Sequence, residues 1–390
     1  MKTRFALRTI LALLAIFSLA VAGCGNDDDA PPSSEPAPAA EEPAAEEPMD
    51  EPAAEEPMDE PAAEEPMDEP AAEEPMDEPA AEEPMDEPMD EPMAEPMRIA
   101  VVAPSASNDL AFTQSMVDAV NAIAEDWDVE LAITDGTFIV EDAGAAIRGY
   151  ADEGYHLVIA HGSQYGGPLQ EIAPDFPDVS FAWGTAVDTF GIPNVYSYSV
   201  RSDLGGYVNG SVAAQLTDSG VIGVIGPIEV GDAKLYVDGF VAGAEAQNPD
   251  VEVNVVYTGS FSDVALAAEA AQGHIAAGAD VLTGSAQMVV GATGIAQEND
   301  VLWFGTQANQ TPLGADIVVA SQVYRWEVIL EQIINNIQDG VLGGETFIMT
   351  FEGGGLDIQF NEDFDLPAGV RDSAEATIAG LSDGSISTGQ

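Results

Sequence analysis

The chain has 390 residues, with 70 acidic against nine basic and a formal net charge of −61 at pH 7. That balance argues against nucleic acid or an anionic lipid surface as a partner. A single cysteine, Cys24, excludes a disulfide within the chain and leaves everything after it without a thiol nucleophile or thiolate metal site.

The first stretch, "MKTRFALRTILALLAIFSLAVAGC", sets Lys2, Arg4 and Arg8 before an apolar core and ends in small residues. This is the layout of a secretory signal, and the apolar run is short for a membrane span. Val21-Ala22-Gly23-Cys24 resembles a bacterial lipobox, where cleavage precedes the cysteine and its thiol receives a diacylglycerol. Residues 1–23 are thus expected to be a lipoprotein signal peptide, and Cys24 the lipid attachment point at the extracytoplasmic face of the cell membrane. An ordinary signal peptide with an incidental cysteine is the plainer alternative.

Residues 24–97 contain no Lys or Arg and, from about residue 41 to 97, repeat "EEPMDEPAA" with small variations; 29 of the 70 acidic residues lie before residue 98. Little apolar surface and strong self-repulsion predict a disordered, extended linker. At roughly 3 Å per residue, its ~70 residues would reach on the order of 200 Å at full stretch. A tether running from the lipid anchor is the functional reading; solubilising bulk is the other.

Arg98–Gln390 hold 41 acidic residues against six basic ones: Arg98, Arg148, Arg201, Lys234, Arg325 and Arg371. Such an excess suggests a salty habitat, where screening shortens the reach of self-repulsion. Along this part strands and helices alternate. "RIAVVAP" (98–104) reads as a strand covered on both faces, and "AFTQSMVDAVNAIAEDW" (111–127) spaces Phe112, Met116, Val120 and Ile123 as a helix. "VELAIT", the helix "EDAGAAIRGYADEG", "HLVIA", "VSFAW" and "NVYSYSV" continue the series to residue 200. The pattern then restarts with "VIGVIGP" (221–227) and runs through "AKLYVDGFVAGAEAQ", "VEVNVVYTG", "DVALAAEAAQGHIAAGA", "DVLTGS" and "VLWFG" to 305. After it come "DIVVASQV" (316–323), the helix "RWEVILEQIINNIQDG" (325–340) and strand-like "TFIMTFEGG" (346–354). The expectation is an α/β protein of two similar lobes with parallel sheets, residues 98–201 and about 306–342 forming one, 202–305 and about 343–390 the other.

Ligands of open parallel sheets bind beyond the carboxyl ends of the strands. The loops there carry Ser105, Asn108, Asp109 and Phe112; Ser163, Gln164 and Tyr165; Trp183 and Asp188; Phe261; Gln287 and Met288; Gln307, Asn309 and Gln310. Amides donate and accept, and aromatic faces sandwich planar groups, so the inventory suits a neutral planar or polyhydroxy ligand. It suits a phosphate poorly, because those loops hold no Lys or Arg. His156, His161 and His274 fall in no metal spacing; only His161, at the end of "HLVIA", is placed to touch a ligand. There is no G-x-S-x-G elbow, phosphate loop or dinucleotide fingerprint, so neither an enzyme nor a cofactor or metal is expected.

"NDLAFTQSM", "ADEGYHLVIAHGS", "FPDVSFAW", "NVYSYSVRSDLGGYVNGSVAAQLT", "GFVAGAEAQNPDVEVNVVYTGSF" and "DIVVASQVYRWEVI" stand in an order that resembles the basic membrane protein family of bacterial substrate-binding lipoproteins. The resemblance covers nearly all of 98–360. It implies a type I periplasmic-binding-protein fold, two Rossmann-like lobes joined by a hinge. It also implies a purine nucleoside or nucleobase as ligand, delivered to an ABC permease. The family's first loop is matched at Asn108, Asp109, Phe112 and Gln114, which makes Phe112 a stacking candidate; a core phenylalanine on the helix face is the other reading. Where the family has Gly-Val-Asp-Ser-Asp-Gln, this chain has "GTQANQ", so Gln307 replaces the aspartate that holds ribose hydroxyls and Asn309 the next acidic residue. A family lysine is here Tyr324. The import role survives those changes, while nucleoside specificity does not follow from them. Hinges are expected near Ser199–Arg201 and Gly305–Thr306. A sensory receptor of the same fold, binding a sugar or other polar molecule, and a surface hydrolase are the competing classes.

Overall fold

The computed structural model describes residues 96–390. The expected signal peptide, Cys24 and the acidic repeats lie outside the described residues.

The first α/β series is β1 (Met97–Val102), α1 (Phe112–Asp126), β2 (Val129–Thr134), α2 (Val140–Asp152), β3 (Leu157–Ala160), α3 (Gly166–Ile172), β4 (Ser180–Gly184) and β5 (Val195–Val200). The second is α4 (Ser202–Leu216), β6 (Val221–Gly226), α5 (Gly231–Gln247), β7 (Glu252–Tyr257), α6 (Val264–Ala276), β8 (Val281–Gly284), α7 (Val289–Glu298), β9 (Leu302–Gln307) and β10 (Val318–Tyr324). Four elements follow: α8 (Glu327–Gln338), β11 (Thr346–Met349), β12 (Leu356–Phe360) and α9 (Val370–Ser382). They form two six-stranded sheets, ordered β11-β5-β4-β3-β1-β2 and β12-β10-β9-β8-β6-β7. Pairing is parallel throughout except for β12, which runs antiparallel along β10.

The continuous apolar runs follow from burial on both faces. Ile99, Val101, Leu157 and Ile159 join the core under α1 and α8, while Ala100, Val102, Val158 and Ala160 join the opposite core with Ile147 and Leu169. Successive side chains of a strand point to opposite faces, so a strand covered on both faces reads as a near-continuous apolar run. In the second sheet Ile222 and Val224 face one cluster, and Ile225 and Leu282 the other. Helices α4 and α5 approach each other so closely that a Cβ on Gly210 or Gly243 would collide with the facing backbone carbonyl of Phe240 or Tyr207. Glycine is what lets the two backbones touch.

Strand pairing corrects the division expected near residues 306 and 343. β9 and β10, over Leu302–Tyr324, belong to the second sheet, whereas β11 returns to the first beside β5. Of the stretch assigned to the first lobe, α8 packs there, placing Ile329, Leu330, Ile333 and Ile334 against Ile99 and Val120. The chain therefore crosses between sheets at Arg201, at Arg325–Trp326, and over Thr350–Gly355. Gly305–Thr306 is not a crossing, because it lies inside β9 and is paired with Ser321 and Gln322. The reason is that β9 needs a neighbour on its open edge, and a local apolar pattern does not say which strand supplies it.

Candidate ligand-binding cleft

The carboxyl ends of both sheets converge on a cavity of about 380 Å³. That volume is within the range of small-molecule pockets. The first sheet contributes Pro104 and Phe112 after β1, Phe138 after β2, Gly162, Ser163 and Gln164 after β3, and Trp183 with 185–188 at the end of β4. The second contributes 230–233 at the start of α5, Phe261 after β7, Ala286 and Gln287 after β8, and Gln307 closing β9.

Phe112 opens α1 and is 8% exposed. The imidazole of His161 lies flat against it, with 3.9 Å between centroids and 10° between planes. His161 Nε2 meets the Phe112 carbonyl at 3.2 Å, and Nδ1 meets the Tyr198 hydroxyl at 2.8 Å. A carbonyl can only accept, so Nε2 carries the proton and Nδ1 accepts from Tyr198. Burial pushes the His161 pKa down to about 3, which keeps the ring neutral. His161 thus sits behind Phe112 and does not line the cleft. Trp183 donates from Nε1 to the Gly162 carbonyl (3.1 Å) and stacks on Phe190 at 4.7 Å. Its indole is thereby fixed beside Ser163 and Gln164.

Asp232, in the first turn of α5, is partly buried at the cleft. The Tyr324 hydroxyl donates to its Oδ2 at 3.2 Å, and the Gln307 side chain also faces it. Burial nonetheless holds the Asp232 carboxyl above its ordinary range, those hydrogen bonds offsetting only part of the effect. Gln307 is 2% exposed, adopts a left-handed φ of 74°, and leaves its Oε1 without a hydrogen-bond partner. The lining includes two carboxylates, Asp188 and Asp232, and no Lys or Arg. All six basic residues of the described part are engaged in ion pairs with acidic neighbours.

Of the residues singled out by sequence, the cleft brings together Phe112, Ser163, Gln164, Trp183, Gln287 and Gln307, with Asp188 and Phe261 from the same loops. Five lie elsewhere. Asn108 is exposed outside the lining. Asp109 accepts from the backbone N–H groups of Ala111, Thr113 and Gln114 and from Ser105 Oγ, so its carboxylate caps α1. Met288 is fully buried in the core with Val289 and Trp303, its sulfur accepting from Thr258 Oγ1 at 3.1 Å. Asn309 is exposed and donates to Gln359 Oε1. Tyr324 is buried behind the cleft as the support of Asp232. Asn309 and Tyr324 instead border a separate cavity of about 220 Å³, which shares only Gln307 with the cleft.

Asp232, Phe138, Val187 and Val230 escaped the sequence reading. The rule of strand carboxyl ends reaches all four, since Phe138 follows β2, Val187 follows β4, and Val230 and Asp232 follow β6. Among the described residues no group of three metal-ligating side chains occurs, and no helix is long and apolar enough to cross a membrane.

The family model for the PnrA-like ABC transporter substrate-binding proteins, Bmp, matches residues 97–373. A purine-binding protein of Brucella abortus is 26% identical over 236 residues, 60% of this chain and 66% of that protein. The transcriptional activator protein Med of Bacillus subtilis is 27% identical over 249 residues, 63% of this chain and 77% of that one. The chain thus spans roughly two thirds to three quarters of these relatives' lengths. A solved ABC transporter solute-binding protein from Conexibacter woesei superposes with a TM-score of 0.64 at 23% identity, covering 75% of this chain and 98% of that one, and shows the same fold. With the family match spanning both sheets and the cleft between them, the chain belongs to the Bmp family of PnrA-like ABC transporter substrate-binding proteins.

Proposed function

We propose that the protein is the extracytoplasmic capture component of an ABC importer and that it closes its two lobes over a purine nucleoside or nucleobase. The observation that carries this reading is the composition of the cleft: Phe112, Phe138, Trp183 and Phe261 with Ser163, Gln164, Gln287 and Gln307, and no cation among them. Aromatic faces stack a planar heterocycle, and amides read its donors and acceptors. The name of the Brucella relative supports the same ligand class. Phe138, Val187 and Val230 are 47%, 66% and 51% exposed although they line the cleft from both lobes. Burying them on closure over the ligand favours the closed form. The three crossings at Arg201, Arg325–Trp326 and Thr350–Gly355 serve as the hinge.

In this reading Cys24 carries the lipid and residues 24–97 are the tether that lets the lobes reach a membrane permease. The ligand leaves unchanged, since the protein's work is capture and release. Isothermal titration against nucleosides, nucleobases and sugars tests the ligand class. Micromolar or tighter binding of at least one purine compound is expected; binding of sugars alone refutes the purine reading. A second reading, a ligand-responsive regulator, is favoured by the name of the Bacillus relative. Loss of labelled nucleoside uptake on deleting the gene supports import, and intact uptake with altered transcription supports regulation.

A further inference from the structure

The cleft floor presents two hydrogen-bond acceptors, the Asp232 carboxylate and Gln307 Oε1, the second without a donor. Asp232 offers a carboxylate with room for about four hydrogen bonds. The hydroxyl of Tyr324 donates to it at 3.2 Å, and the Gln307 side chain and the backbone N–H groups of Asp232 and Ala233 approach it too, while the residue stays partly exposed in the cleft lining. Gln307 Oε1 is itself buried and has no donor at all. Buried acceptors left unpaired are costly, so native sites rarely keep them without a purpose. Among the described residues every basic side chain is already paired, Arg201 with Asp203 and Lys234 with Asp238. Neither lines the cleft. The other acid there, Asp188, adds a further negative group.

We infer that Asp232 is the specificity-determining residue of the cleft, and that the ligand presents two adjacent hydrogen-bond donors to its carboxylate. This rests on the proposed binding role of the cleft and narrows its substrate class. Two adjacent donors occur on a ribose as a cis-diol and on an aminopurine as an amino–imino edge. Both match the two oxygens of one carboxylate. A ligand offering acceptors there, such as a phosphate or carboxylate, meets Asp232 and Gln307 Oε1 and is rejected. Tyr324, the ionisable side chain hydrogen-bonded to Asp232, acts as its support: its hydroxyl donates to Oδ2 and orients the carboxylate in the cleft.

The test is titration calorimetry on the wild-type protein and Asp232→Asn. The compounds are guanosine, inosine, their 2′,3′-dideoxy analogues, free ribose and inosine monophosphate. Hydrogen bonds to a charged group predict a loss of roughly 10- to 100-fold in affinity for Asp232→Asn. If the diol is the donor pair, the dideoxy analogues lose a similar factor on the wild type and nothing more on the variant. If the base edge is the pair, guanosine exceeds inosine and the dideoxy analogues keep their affinity. The asparagine removes a partly buried charge, so the ligand-free variant should melt no lower than the wild type, separating lost contact from lost fold. Equal affinity of wild type and variant overturns the inference while leaving the purine reading intact, as does preferred binding of the monophosphate. Binding of ribose alone, weakened by Asp232→Asn, upholds the inference and overturns the purine reading. Failure of every compound to bind the wild type overturns both.

Discussion

His161 and Phe112 form one stacked unit, the imidazole hydrogen-bonded to the backbone carbonyl of the very residue whose ring it supports. Two contacts therefore fix the only aromatic side chain that α1 offers to the cleft. His161→Ala should lower stability by about 2–4 kcal/mol, through a cavity and an orphaned Tyr198 hydroxyl. Ligand affinity should fall in the same variant, because Phe112 loses its backing. Chemical denaturation and calorimetry measure the two effects; an unchanged affinity would show that Phe112 is held by other contacts.

The same imidazole sets an acid response. Its folded pKa of about 3 lies below the ordinary value of 6.5, so between those pH values the unfolded chain binds the extra proton. Its contribution is complete above pH 6.5 and is lost as pH falls toward 3, at about 1.4 kcal/mol per pH unit once well inside that window. Tyr198 and Trp326 pack against the ring, and neither ionises in this range. His161→Gln, neutral throughout, should show a shallower decline of denaturation midpoint between pH 6 and 4. Parallel declines would remove His161 from the account.

With 41 acidic residues and all six basic ones already paired, the folded part has no cation left to neutralise its surface. Exposed ion pairs of this kind add little, so the balance is dominated by repulsion. The melting temperature should rise by several degrees between 0.05 M and 1 M NaCl as the Debye length falls from above 10 Å to about 3 Å. A flat profile in differential scanning calorimetry would contradict the salty-habitat expectation.

Helices α4 and α5 meet backbone to backbone at Gly210 and Gly243. Gly243→Ala should destabilise by about 1–3 kcal/mol or more, since the neighbour is a carbonyl that cannot rotate away. Gly273→Ala, a helical position with open space around it, should be neutral or slightly stabilising. Equal midpoints for the two variants in urea would show that the helices can part at no cost.

Asn108 and Asn309 lie outside the cleft, and Phe112 lies within it. Asn108→Ala and Asn309→Ala should bind ligand as the wild type does, whereas Phe112→Ala should lose about 10-fold or more, a stacked base contributing on the order of 1–3 kcal/mol. Titration of the three variants with one purine ligand decides it.

Much of the fold was legible because burial on two faces writes itself into β3 and β6 as apolar runs and into β1 and β8 as nearly apolar ones. The stripe Phe112, Met116, Val120 and Ile123 on α1 was equally plain, and all four are buried. Which sheet took β10 and β11 was not legible, since pairing is decided by edges far apart in the chain. The cleft was legible where residues follow a strand, as at Ser163 and Trp183. It was missed at Asp232, one acidic residue among many, whose difference lies in its burial against Tyr324. Asp109 misled for the opposite reason: its carboxylate is consumed by capping α1.

Three chain segments, at Arg201, Arg325–Trp326 and Thr350–Gly355, join the two sheets. A single strand would let one lobe spin relative to the other, whereas three attachments leave bending and suppress rotation. In the proposed closure, each stroke would bring Asp232 and Gln307 back to the same alignment with Phe112 and Trp183. Selectivity for a ligand is in that sense stored in the connections as much as in the walls, because a reproducible stroke keeps the ordering cost of capture small.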